Sequence, residues 1–206
     1  MKTRILVLLV AAASVVVPMT AQAQQLFDFN GQTDLPDMVG SDLTMYSRMF
    51  DASPAVPPIP LDFANFEFTL VVTGLELVTD GNPQAYAGGT VIIYQDDATA
   101  ADYANTGTFT DGTAILVGSL VSLNRTMFTS SLGSVLGTVD WTGGTRLDDI
   151  APEDQDGWAF LSGTINRADS VEPGFDEAWD GKVEPQEPIV DDEATSWGSV
   201  KALFSR

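Results

Sequence analysis

Phe66-Glu67-Phe68-Thr69-Leu70-Val71-Val72-Thr73-Gly74-Leu75-Glu76-Leu77-Val78 is the stretch that decides the fold. Phe66, Phe68, Leu70 and Val72 alternate with Glu67, Thr69, Val71 and Thr73, the period of a strand with one buried face. Gly74 interrupts the run, and Leu75 and Leu77 resume on the opposite parity. A single glycine at a parity switch reads as a β-bulge or a bend, because the extra residue restores the apolar set to the same face.

Similar segments lie on both sides. Leu26, Phe27 and Phe29 form a short first strand ended by the turn dipeptide Asn30-Gly31. Residues 90–95 (with Val91, Ile92, Ile93 and Tyr94) are apolar on both parities. Further strands are expected over 114–123, 125–131, 134–141 and 158–166. Four prolines between 51 and 60 require an extended crossing, because proline fixes φ and lacks an N–H donor. No helical pattern separates these strands. The expectation is an all-β domain over 24–167, an antiparallel sandwich or jelly-roll-like fold of six to eight strands. After Arg167, Asp, Glu, Pro and Gly dominate an acidic tail over 168–206. Trp197, Val200, Leu203 and Phe204 fall at helical spacing there, which predicts a short C-terminal helix.

Residues 1–23 carry Lys2 and Arg4, an apolar run from Ile5 to Val17, and Ala21-Gln22-Ala23. This is the order of a secretory signal peptide cleaved after Ala23. The run is too short to span a bilayer comfortably, and no later span is expected. The protein is therefore expected to be secreted, or to reside in a periplasm or on an outer surface.

Composition excludes several chemistries. The 206 residues contain no His and no Cys. Imidazole acid–base catalysis, His-ligated zinc, thiolate sites and disulfides are therefore ruled out. The nine Lys and Arg include Lys2 and Arg4, so the exported chain keeps seven bases against 29 acids, a net charge of −22. Such a charge repels phosphate backbones, and nucleic acid is not an expected partner. Asn124-Arg125-Thr126 is a glycosylation sequon, relevant only on a eukaryotic secretory route.

The acids are grouped. One group is Asp96, Asp97, Asp102 and Asp111. A second is Asp148, Asp149, Glu153, Asp154 and Asp156, closed by Gly157. The third runs from Asp176 to Glu187, with Asp180, Gly181 and Val183 between. Over these twelve residues the chain resembles the EF-hand calcium loop at positions 1, 5, 6, 8 and 12, although Ala178 stands where an oxygen ligand belongs and Pro185 would disturb an exiting helix. The resemblance implies hard carboxylate oxygens converging on Ca²⁺. Asp154, Asp156, Asp176, Asp180 and Glu187 are the candidate calcium ligands.

The functional expectation is a non-enzymatic envelope or extracellular protein that acts by binding or assembly, stabilised by Ca²⁺. Its partner would be a glycan or a protein at the cell surface, or a second copy paired through an edge such as Leu26 to Phe29. One alternative is a carbohydrate-binding module presenting Trp141, Trp158, Trp179 or Trp197, although Trp141 and Trp158 read more simply as core residues at strand ends. The other is a small glycan hydrolase built on paired carboxylates, with Glu67, Glu76 and Glu153 as the acids to examine.

Overall fold

The computed structural model describes residues 24–186. They form nine strands: β1 (Phe27–Asp34), β2 (Asp42–Phe50), β3 (Glu67–Thr79), β4 (Gln84–Ala87), β5 (Thr90–Asp96), β6 (Thr113–Met127), β7 (Leu132–Gly143), β8 (Trp158–Ile165) and β9 (Glu177–Glu184). Every pairing between them is antiparallel. β4 and β5 act as one ribbon joined by Gly88 and Gly89. β5 pairs with β3 as far as Thr73 opposite Thr90, and β4 continues from Glu76 opposite Ala87. Both halves then pair with β6.

The ring closes where β9 meets β1, from Phe27 opposite Val183 to Thr33 opposite Glu177. The sandwich or jelly-roll expectation is thereby corrected. The fold is a closed antiparallel β-barrel of eight strand positions, each hydrogen-bonded to its neighbour in sequence. Alternation and turns are the same in a sandwich and in a barrel, so the distinction rests on whether first and last strands pair. Full closure leaves the sheet without an edge.

Several local expectations hold. Two residues of β3, Thr73 and Gly74, stand opposite the single Thr44 of β2. Gly74 takes φ +65°, open to glycine and strained for other residues. The bulge keeps both Val72 and Leu75 fully buried. The segments expected at 114–123 and 125–131 are one strand, β6. β2, β4 and β9 are strands that the sequence reading did not contain, and β9 carries the barrel past residue 167; β1 runs straight through the turn expected at Asn30-Gly31 to Asp34. The signal peptide, Glu187 and the C-terminal helix expected at 195–206 lie outside the described residues.

The interior is filled. Phe27 stacks on Trp158 at 5.8 Å, and Trp141 meets both edge-on at 6.2 and 5.7 Å. Phe29 packs on Phe160 at 5.2 Å, and Phe160 on Trp179 at 6.4 Å. Such edge and offset contacts suit the ring quadrupole, and eight strands give a lumen that side chains just fill. A smaller apolar cluster lies outside the wall. The loop after β5 carries Ala101, Tyr103 and Phe109 onto Val71, Tyr46 and Tyr94. Phe175 closes over Tyr46 and Tyr103, and the Arg48 guanidinium lies 5.1 Å from the Tyr103 ring centre.

Candidate functional site

The structure draws attention to two places, one inside the barrel and one on its outer wall. Inside, β9 begins with an inward glutamate. Glu177 is 1% exposed and accepts hydrogen bonds from Arg125 Nε at 2.9 Å, Thr164 Oγ1 at 2.5 Å and Trp179 Nε1 at 3.1 Å. Arg125 Nη2 forms a second, shorter bond to the same carboxylate. Arg125 Nη1 donates to Gln84 Oε1 at 2.8 Å, which also accepts from the Tyr86 hydroxyl at 3.0 Å. Burial pulls the Glu177 carboxyl upward, but the donors from Arg125, Thr164 and Trp179 outweigh it and hold it below the usual range. Burial pushes the Tyr86 hydroxyl up to about 12. Three of the four bonds fall on Oε2 and one on Oε1, and the network is a buried ion pair that ties β4, β6, β8 and β9 together.

The outer wall of β7, β8, β9 and β1 carries a groove of about 840 Å³. Leu136, Leu161 and Leu26 supply apolar surface, and Ala52, Pro54 and Ala55 of the proline-rich crossing form a bank. Gly163 is the floor. It points outward, and a Cβ there would touch only the Asp180 carbonyl, at 3.8 Å. The groove continues along β8 and β9 as a smaller depression of about 370 Å³ past Ile165 and Ala178, sharing Gly163 and Asp180.

Its polar groups are mostly acidic. Asp28 faces Lys182 across the β1–β9 ladder, and Asn30 faces Asp180. Lys182 Nζ is held by Glu184 at 2.7 Å. Among the described residues neither Asp28 nor Asp180 makes an ion-pair contact within 4.0 Å. Burial, and then the neighbouring Asp180 charge, raise the Asp28 carboxyl above its ordinary range, although the Lys182 charge pulls it down.

The candidate calcium ligands are dispersed. Asp176 precedes β9 and Asp180 lies within it, four residues along extended chain or roughly 13 Å. Asp176 Oδ2 accepts the Leu35 N–H at 2.8 Å, whereas Asp180 faces outward into the groove. Asp154 and Asp156 lie in the turn before β8, where the Asp154 carbonyl accepts Trp158 Nε1 at 2.5 Å. Glu187 lies outside the described residues. Among those residues no group of three or more acids is placed to hold a metal. The first acidic loop is explained by capping: Asp96 accepts from the N–H groups of Asp97, Ala98 and Thr99, and Asp102 from that of Ala104.

The hydrolase candidates are also apart. Glu67 and Glu76 are nine residues apart on β3, roughly 30 Å, where glycoside hydrolysis needs carboxyls about 5–10 Å apart. Glu67 Oε2 accepts the Ala101 N–H at 2.7 Å and so anchors the loop after β5. Glu153 lies in the turn before β8. Trp141, Trp158 and Trp179 are at most 2% exposed and present no face to a sugar ring, and Trp197 lies outside the described residues.

The sequence reading did not find Gly163, Leu136 or Leu161 as a site. Their signal was an outward glycine two residues after an outward leucine on β8, which becomes visible as a site only when Leu136 of β7 is known to face Leu161. No family model, curated protein or solved structure matches the chain. The fold and the groove therefore define the class, a filled antiparallel barrel with an outer-wall cleft.

Proposed function

We propose that this is an exported protein that acts by binding, and that its binding face is the outer groove over β7, β8, β9 and β1. The ligand class is an apolar chain segment that carries a positive charge. The observation behind this reading is the outward Gly163 floor beside Leu161 and its cross-strand neighbour Leu136, with Asp180 next to it and Asp28 at the edge. Apolar area supplies affinity there, and Asp28, Asp180 and Glu184 outnumber the one lysine among them, Lys182, which favours a cation over an anion. The filled interior supports an external site, since the space that would hold a small ligand in a hollow barrel is taken by aromatic rings. Export rests on the leader in the sequence.

The test is titration of the exported chain with dansylcadaverine, a naphthalene ring on an alkyl ammonium, read by fluorescence up to millimolar probe. Saturable binding at one site is expected, abolished by Gly163→Leu and weakened by Asp28→Asn with Asp180→Asn. Binding unchanged by Gly163→Leu, or no saturable binding, overturns the reading.

A further inference from the structure

The chain leaves the described barrel beside the groove. Glu184, Pro185 and Gln186 line a small cavity of about 230 Å³ with Gln24 and Gln25, and Gln24 also lines the groove. Twenty residues follow. Residues 187–194 are rich in Asp, Glu and Pro, and could reach about 26 Å if extended. Residues 195–206 then place Trp197, Val200, Leu203 and Phe204 at helical spacing, with Lys201 and Arg206 among them. Those two residues are the only bases after Lys182.

We propose that the occupant of the outer groove is this chain's own C-terminal segment, residues 195–206, docked in cis. This inference rests on the groove being a binding face. Trp197, Val200, Leu203 and Phe204 provide one apolar stripe for Leu26, Leu136 and Leu161. Lys201 and Arg206 provide the cations for Asp28 and Asp180. The neighbourhood of the exit and the groove makes the encounter intramolecular. A short tether gives an effective concentration of about millimolar, so modest intrinsic affinity is enough to fill the site. An external ligand of the same chemistry then has to displace the segment, which makes the tail a built-in competitor.

Two measurements test this. Because the chain has no Cys, Ser199→Cys gives one spin-label site. Labelled protein should broaden the amide resonances of Asp28, Leu136, Leu161–Gly163 and Asp180–Lys182, equally at tenfold dilution. Labelled protein mixed with unlabelled ¹⁵N protein should broaden nothing in the latter. Second, Trp197→Ser with Phe204→Ser should tighten dansylcadaverine binding by tenfold or more. Absence of broadening at the groove, or broadening only in the mixed sample, overturns docking in cis. So does equal probe affinity for parent and tail variant, which would leave the groove reading standing. No probe binding by either chain would instead sink the groove reading itself.

Discussion

Glu177→Gln removes one charge from the barrel interior with almost no change of shape. In the parent, four donors converge on the carboxylate: Arg125 Nε and Nη2, Thr164 Oγ1 and Trp179 Nε1. The amide offers one accepting oxygen, and its NH₂ must face donors. Arg125 is 9% exposed and is left with an uncompensated charge it cannot shed. Breaking a buried pair from one side costs about 3–5 kcal/mol. Glu177→Gln is expected near the lower figure, and Glu177→Ala near or above the upper, because truncation also orphans donors at about 1–3 kcal/mol each. At about 2–4 °C per kcal/mol for a domain of this size, Glu177→Gln should lower Tm by roughly 6–12 °C.

Replacing both partners, Glu177→Leu with Arg125→Met, should cost well under the sum of the single changes, since neither leaves a stranded charge. The assay is urea unfolding at pH 7 with linear extrapolation, run on all four corners of the cycle. Acid supplies a second check. The folded Glu177 carboxyl titrates below its ordinary 4.5, so its stabilisation is complete above that value and is lost as the pH falls through the lower folded value. The parent should therefore lose stability below pH 4.5 more steeply than Glu177→Gln. A cost under about 0.5 kcal/mol for Glu177→Gln, within the range of ordinary surface substitutions, would refute the reasoning.

Gly163→Leu should keep or raise stability, by up to about 1 kcal/mol in urea unfolding, because the position is extended and open and glycine weakens a strand. Gly144→Ala should be strongly destabilising by the same assay: φ is +103°, and the added Cβ would meet the Ile115 carbonyl oxygen at 2.3 Å. Burial, then the charges of Asp176 and Asp37, raise the Asp34 carboxyl. Asp34 therefore opposes folding while ionised, and its unfavourable contribution is relieved as the pH falls through its raised folded value. Asp34→Asn should accordingly raise Tm slightly at pH 7 and have no such effect once the parent carboxyl is protonated. Melting in millimolar Ca²⁺ and in EDTA should agree within about 1 °C if the dispersed acids among the described residues hold no ion, and a rise of several degrees with calcium would overturn that.

Class and strand content were legible because β3 carries apolar residues at period two, and β5, β7 and β8 are short apolar runs bounded by turn residues. Even the bulge at Gly74 could be read from the switch of parity. β2 was hidden because its inward row mixes Leu43, Met45 and Met49 with the buried Ser47, whose hydroxyl bonds the Leu70 carbonyl at 2.5 Å. β9 was hidden more completely. Its inward row is Glu177, Trp179, Gly181 and Val183, and two of those four residue types ordinarily mark a solvated turn. An acid that finds its cation on a strand 52 residues away in sequence looks the same, in one dimension, as an acid waiting for calcium. Losing β9 meant losing closure, and with it the distinction between a sandwich and a barrel. The groove was illegible for a related reason, since its floor and walls come from four strands and a proline-rich crossing.

Closure by β1 and β9 also brings the two ends of the barrel together. Gln24 Nε2 donates to Glu184 Oε2 at 2.8 Å, across 160 residues of sequence. A ring of strands has no privileged first member. A short linker from residue 186 back to residue 24, with new termini cut in the exposed hairpin between β6 and β7, would preserve all the ladders. The natural order has a different cost. The seam is the pairing most distant in sequence, so it carries the largest loop-closure entropy and is the slowest kind of contact to form. A chain emerging from its N-terminal end exposes β1 as an open template until the last strand arrives. The ring can be completed only when residue 184 is free to meet residue 27.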